Sequence, residues 1–324
     1  MRAILYKNQD QGFILSDNFE RGDSRPDEID VRVNAAALNK RDEFILQGMY
    51  PDITENVILG SDAAGWWKDQ RVLINPGLQW GNSQRVQSSD FNILGMPTHG
   101  TFSEWVKVPQ QNVYPVPTHL DWEQAAALPL AGLTAYRALF ARGELKPGQK
   151  VLVTGGGGGV ALLCIQMAKA IGASVFATTG SEEKRGKLKD FGINGTVNYR
   201  ELEWDKELKK AHGSFDLIID SAGGDGLKKL IGLTKPGGNI VIYGGTKGKS
   251  DGISPQLIFW RQLNIMGTSM GSDRDFREML ALVEQHGIVP VVDSVYPLEE
   301  FGRALERLKS KEHFGKVVIK IHES

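Results

Sequence analysis

The run Val151-Leu-Val-Thr-Gly-Gly-Gly-Gly-Gly-Val-Ala161 constrains this chain more than any other stretch. A short aliphatic and β-branched run stops at glycines and resumes as a helical pattern over residues 162–171. A strand, a phosphate-sized turn and a helix N-terminus in that order form half of a βαβ unit, with the positive end of the helix facing an anion. Gly156, Gly158 and Ala161 match the spacing G-x-G-x-x-[GA], in which missing side chains let the backbone turn sharply and approach a pyrophosphate. Gly156, Gly158, Gly159 and Val160 are therefore candidate dinucleotide contacts. A flexible glycine turn without a ligand is the alternative.

Around this turn the text alternates between strand and helix. Strands are predicted at residues 151–154, 174–178, 196–198, 217–220, 240–243 and 264–268, with helical periodicity between most of them. Six buried strands joined by crossovers imply an α/β domain with a doubly wound parallel sheet. Residues 1–118 read differently. Short alternating runs such as Ile29-Asp-Val-Arg-Val33 and Arg71-Val-Leu-Ile74, separated by Gly, Pro and Asn, predict a compact, mostly antiparallel β domain. The expected division is a β-rich domain of residues 1–118, completed by residues 288–324, and a dinucleotide-binding domain of residues 119–287. Trp66 and Trp67 are adjacent, so in a strand they point to opposite faces. One would enter the core and the other cover a cleft or a partner.

A chain of 324 residues has room for two such cores. Its net charge of −1, with both signs interspersed, argues against a nucleic-acid groove or an anionic membrane surface as partner. The longest apolar stretch, residues 125–135, is interrupted by Pro129 and Gly132. It falls short of the roughly 18 residues that a membrane span needs. Met1-Arg-Ala-Ile-Leu-Tyr6 reads as a first strand rather than a signal peptide, so a cytoplasmic location is expected. The single cysteine, Cys164, excludes an intrachain disulfide and any multi-cysteine metal site, and its apolar neighbours make it a packing thiol.

Asn39-Lys-Arg-Asp42, Leu59-Gly-Ser-Asp-Ala-Ala-Gly65, Gly100-Thr-Phe-Ser-Glu-Trp105, Ala125-Ala-Ala-Leu-Pro129, the glycine turn, Asn198-Tyr-Arg200 and Phe314-Gly-Lys316 occur in one order and spacing. In these pieces the chain resembles the medium-chain dehydrogenase/reductase superfamily, in its zinc-free quinone reductase and alkenal reductase branch. The resemblance implies a GroES-like catalytic domain made from both chain ends, an inserted Rossmann domain, a cleft where they meet, and a homodimer. Where zinc-dependent members carry cysteine, histidine and cysteine ligands, this chain has Asn39, Ser61 and Leu130, and residues 78–96 contain no cysteine. An amide, a hydroxyl and a leucine do not make a zinc shell, and no metal is expected.

Without a Lewis acid, alcohol oxidation lacks a stabiliser of the forming alkoxide worth several kcal/mol. Hydride addition to a quinone or an α,β-unsaturated carbonyl instead spreads charge into a delocalised anion that hydrogen-bond donors can stabilise. The donors proposed are Asn39, Tyr50 and the cofactor's ribose hydroxyl, with Asp42 in an orienting role implied by the resemblance. A structural amide at Asn39 and packing of Tyr50 beneath Pro51 are the competing readings. The acidic residue that binds the ribose diol in NAD-specific domains is replaced by Thr179, with Ser181 and Lys184 following, which points to NADPH. Lys184 also reads as a solvated helix lysine. Gly223, Gly244 and Gly245 follow the fourth and fifth strands, at the crevice of the sheet. Tyr199, Thr134 and Lys316 are added as cofactor contacts by resemblance, and Phe259 and Trp260 are placed at a pocket wall or dimer seam, with core packing expected for one of them. The expected activity is NADPH-dependent reduction of a small quinone or enone. A nucleotide-binding protein without turnover and an enoyl-thioester reductase are the alternatives.

Overall fold

The computed structural model describes residues 1–322. The chain divides into two compact units, Met1–Leu133 together with Gly271–Ser324, and Thr134–Met270.

The first unit is built on a seven-stranded sheet. Its order is Val113–Pro115, Gln70–Ile74, Asp62–Trp67, Glu28–Ala37, Lys316–Lys320 and Val292–Pro297, with Trp105–Pro109 also paired to Glu28–Ala37. The C-terminal strand runs antiparallel to Glu28–Ala37, with Ile319 opposite Ala36, so the two ends of the chain share one sheet. Val31, Val33, Phe102, Phe301, Leu305 and Ile319 fill its core. At Gly65 a Cβ would lie 2.0 Å from the Arg32 carbonyl oxygen. Only glycine allows that approach, beside the register shift between Val33 and Ala35.

Residues 119–133 and 271–287, which the sequence reading assigns to the dinucleotide-binding domain, fall in this first unit. The reason is visible in the helix Asp273–His286. Ser272 caps it, accepting from the Asp275 N–H at 3.1 Å. Phe276 packs on Tyr114 with ring centroids 4.9 Å apart, and Asn75 donates to Asp273 at 2.9 Å. An amphipathic pattern shows that a helix has a buried face, but not which core that face meets. The two tryptophans also both stay within this unit. The strands Asp62–Trp67 and Gln70–Ile74 pair tightly, with Trp67 opposite Gln70. Trp66 stands edge-on to Trp122, on which the Arg71 guanidinium also stacks, while Trp67 packs against the main core.

The second unit holds six parallel strands in the order Gly195–Asn198, Ser174–Thr179, Lys150–Val153, Phe215–Asp220, Thr234–Ile242 and Asn264–Gly267. This is the doubly wound order, reversing direction beside the strand that precedes the glycine turn. Leu152, Phe176, Ile218 and Ile240 form its core with Leu230 and Ile231. Cys164 is fully buried, and burial pushes its thiol far above the ordinary range. Neither Phe259 nor Trp260 enters the core, against the expectation that one would: they are 56% and 78% exposed, after the helix Pro255–Phe259. Among the described residues no helix is long and apolar enough to cross a membrane.

Candidate active site and nucleotide turn

In the first unit the strand Glu28–Ala37 runs through Leu38 into the helix Lys40–Leu46, which Asn39 caps in an extended conformation. Asp42 reaches back to accept the Asn39 backbone N–H at 2.7 Å, the return half of a capping box. The Asn39 amide is committed on both sides. Its Nδ2 donates to Asp62 Oδ2 at 2.8 Å and its Oδ1 accepts from Lys316 Nζ at 2.6 Å. Lys316 also donates to the Leu38 carbonyl at 2.7 Å and to Asp62 Oδ2 at 2.9 Å. Asp62 receives the Leu130 N–H on its other oxygen at 2.7 Å.

Lys316, expected by resemblance to touch the cofactor, is a buried cation held by its own unit. All three donors of its ammonium are used within its own unit, and it is 5% exposed beside a fully buried Asp62. Asn39 and Leu130, two of the three positions where zinc-dependent relatives carry ligands, both bind Asp62, and the third, Ser61, precedes it in the chain.

Asp42 is fully buried, and its Oδ1 has no hydrogen-bond partner among the described residues. Burial pushes its carboxyl up to about 6, against the opposing pull of Arg41, the Asn39 N–H and Lys316. Below that value the folded protein holds a proton that the unfolded chain, ionising at its ordinary 3.8, gives up. Stability contributed by this group is therefore present at low pH and lost as pH rises through about 6. The neutral isostere Asp42→Asn keeps an acceptor for the Asn39 N–H. It is expected to gain up to about 3 kcal/mol relative to wild type between pH 4 and pH 7.5. Paired calorimetric melts across that range read the gain, and a difference that does not change with pH contradicts the raised carboxyl.

Arg41, absent from the sequence-based set, links Tyr50 to this cluster. Its buried guanidinium donates to the Tyr50 hydroxyl at 3.2 Å, to Ser61 Oγ, to the Leu94 carbonyl at 2.7 Å and to the Met96 carbonyl at 3.3 Å. It also lies over the Tyr50 ring, 4.8 Å from the centroid. Lys40-Arg41 at a helix start reads as solvated charge. The one usable signal was its place between two candidate site residues on a helix with a buried face.

In the second unit the left-handed residues of the turn are Gly155 (φ +69°) and Gly157 (φ +119°), rather than the fingerprint glycines themselves. Gly156 serves close packing: its N–H donates to the Thr178 carbonyl at 2.7 Å, and a Cβ there would lie 2.8 Å from Leu188 Cδ1. Gly158 caps the helix Gly159–Ala170, whose first N–H groups, including those of Gly159 and Val160, have no intrahelical partner. Asp220, at the end of its strand, accepts from Thr154 Oγ1 at 2.7 Å and from the Gly223 N–H at 2.9 Å. Gly244 passes so close to Ser221 that a Cβ would lie 2.6 Å from its carbonyl oxygen, while Gly245 has open space beside it. Thr134 is buried in the helix Pro129–Tyr136. A turn that added Cβ atoms would crowd, opening on unused helix N–H groups, fits a dinucleotide pyrophosphate.

At the end of the second strand Thr179 is buried and Ser181 caps the helix Glu182–Asp190, accepting from the Lys184 N–H at 3.4 Å. Between them, a Cβ on Gly180 would stand 2.5 Å from the Tyr199 hydroxyl and 3.1 Å from Arg200 Nε. Both side chains lie over this strand end. The neighbouring Arg185 is paired with Glu182 and Glu201, whereas the Arg200 guanidinium makes no ion pair or hydrogen bond among the described residues.

A β-rich unit closed by both chain ends, with a doubly wound dinucleotide fold between them in sequence, defines the class of two-unit dehydrogenases and reductases. The chain belongs to the medium-chain dehydrogenase/reductase superfamily: residues 25–118 match the alcohol dehydrogenase GroES-like domain and residues 159–285 match the zinc-binding dehydrogenase family. It is 34% identical to the zinc-type alcohol dehydrogenase-like protein C1773.06c of Schizosaccharomyces pombe, over 91% of each chain. Among solved structures, an NAD-dependent alcohol dehydrogenase superposes with a TM-score of 0.92 at 33% identity, covering 99% of this chain and 100% of the other. The quinone oxidoreductase of Thermus thermophilus, solved also with NADPH, superposes with a TM-score of 0.84 at 27% identity, covering 99% and 100%. The described residues contain no group of three or more His, Cys, Asp or Glu side chains able to hold a metal ion.

Proposed function

We propose that this protein is a zinc-independent, NADPH-dependent reductase of quinones or α,β-unsaturated carbonyls. The observation that carries the reading is the commitment of Asn39 and Leu130 to Asp62, which with Lys316 forms a neutral, hydrogen-bonded cluster of the first unit's own side chains. A dinucleotide held at the turn from Gly155 to Val160 supplies the hydride. The acceptor takes that hydride on carbon and a proton from water on oxygen or on the neighbouring carbon. The negative charge that develops meanwhile is met by protein hydrogen-bond donors, Tyr50 first among them. Ser181, Lys184, Tyr199 and Arg200 would hold the adenosine 2′-phosphate, and Thr179 brings no opposing charge.

The test uses protein dialysed exhaustively against a strong chelator and assayed with NADPH against a panel of quinones and enals. Turnover is expected to survive chelation in full, with NADPH preferred over NADH. Loss of activity restored by zinc, or folded protein that oxidises NADPH with no member of the panel, rejects the reading. We propose further that a second copy of the chain covers the exposed Phe259 and Trp260, beside the outermost strand of the parallel sheet. Light scattering on the same preparation should weigh two chains, and one in Trp260→Glu; a wild-type monomer would discard that part.

A further inference from the structure

We propose that Arg41 is the positioning residue for the Tyr50 phenol, an inference that rests on the reductase reading above. A phenol has one proton to give and an oxygen that accepts. Arg41 Nε–H already donates to that oxygen at 3.2 Å, so the tyrosine's own O–H must point away from the guanidinium. The guanidinium cannot easily follow a moving ring. It is 7% exposed and held by the Leu94 and Met96 carbonyls and the Ser61 hydroxyl. Its planar fork serves these acceptors from fixed directions, which a flexible ammonium would not reproduce. Stacking over the ring, 4.8 Å from its centroid, restrains the second degree of freedom of the side chain.

In the reaction, hydride brings two electrons to the acceptor carbon, and the pair displaced from the double bond accumulates on the acceptor oxygen. Tyr50 O–H donates a hydrogen bond to that oxygen and keeps its proton. The proton that completes the reduction comes from water. A cation bonded to the phenol oxygen strengthens the phenol as a donor, so Arg41 acts on the rate only through Tyr50.

A double-mutant cycle in kcat with NADPH and one quinone tests this, using Arg41→Gln, Tyr50→Phe and the pair. Tyr50→Phe is expected to lower kcat about 30-fold and Arg41→Gln about 10-fold, with the KM for NADPH unchanged. The pair should be no slower than Tyr50→Phe alone. Losses that multiply in the pair, or an Arg41→Gln enzyme as fast as wild type, overturn the proposal. A Tyr50→Phe enzyme that loses nothing overturns it as well. If Arg41→Gln does not fold, Arg41→Lys enters the same cycle, with a loss of at least about 3-fold expected only when Tyr50 is present. Absence of any turnover by wild type defeats the reductase reading itself, whereas turnover with a multiplicative cycle defeats the Arg41 assignment alone.

Discussion

Lys316→Met is expected to destabilise the first unit by about 3–5 kcal/mol, because it strips the one cation that, among the described residues, is bonded to a fully buried carboxylate. Methionine matches the lysine stem in length and packs adequately, so nearly all of the loss would be electrostatic. Asp62 would keep the Leu130 and Asn39 N–H donors, which are neutral, and Asn39 Oδ1 and the Leu38 carbonyl would lose their partner at the same time. Asp62→Asn/Lys316→Met should recover much of the loss. An amide at position 62 carries no charge, still accepts from Leu130, and can donate to Asn39 Oδ1 once that side chain turns over. Urea denaturation of the four variants of this cycle measures the coupling. A single variant Lys316→Met within about 1 kcal/mol of wild type would mean that the ammonium is dispensable and that Asp62 finds another way to remain buried.

The contrast between Lys316 and the glycine turn shows what could be read in advance. The strands of the second unit are legible in the aliphatic runs, because a strand buried on both faces is a continuous apolar run between short crossovers. The turn was found for the same reason, since consecutive glycines after such a run have few other uses. Which glycines take the left-handed conformation was not visible, as all five are identical in the text while only Gly155 and Gly157 carry positive φ. The burial of Lys316, named only as a cofactor contact by resemblance, and of Arg41, not named at all, is illegible for a shared reason. A basic residue carries no mark of burial in its own identity, and its partners lie far away in sequence: Asp62 for Lys316, Leu94 and Met96 for Arg41. The helix Asp273–His286 belongs to the same category. Its cap and its apolar stripe were legible, but the Tyr114 ring that receives Phe276 was not.

Gly180→Asp is expected to move the nucleotide preference from NADPH to NADH by at least about 100-fold in the ratio of kcat/KM, close to 3 kcal/mol. The position follows the buried Thr179 at the strand end and has an ordinary negative-φ backbone, so an L side chain is conformationally allowed. The space it would enter is held by the Tyr199 hydroxyl and Arg200 Nε, the far ends of two side chains on the exposed loop after Asn198. Those ends can swing aside, which keeps the backbone cost small. Two effects then add. A carboxylate arrives where it would accept hydrogen bonds from a ribose diol and would repel a 2′-phosphate. The displaced Arg200, whose guanidinium has no ion pair among the described residues, would no longer meet the phosphate. Arg200→Ala isolates the second effect and should weaken NADPH about 10-fold while leaving NADH unchanged. Isothermal titration of both nucleotides against the two variants separates the contributions. If Gly180→Asp weakens NADPH and NADH equally, the strand end does not lie against the adenosine ribose, and the assignment of Ser181, Lys184, Tyr199 and Arg200 to the 2′-phosphate fails with it.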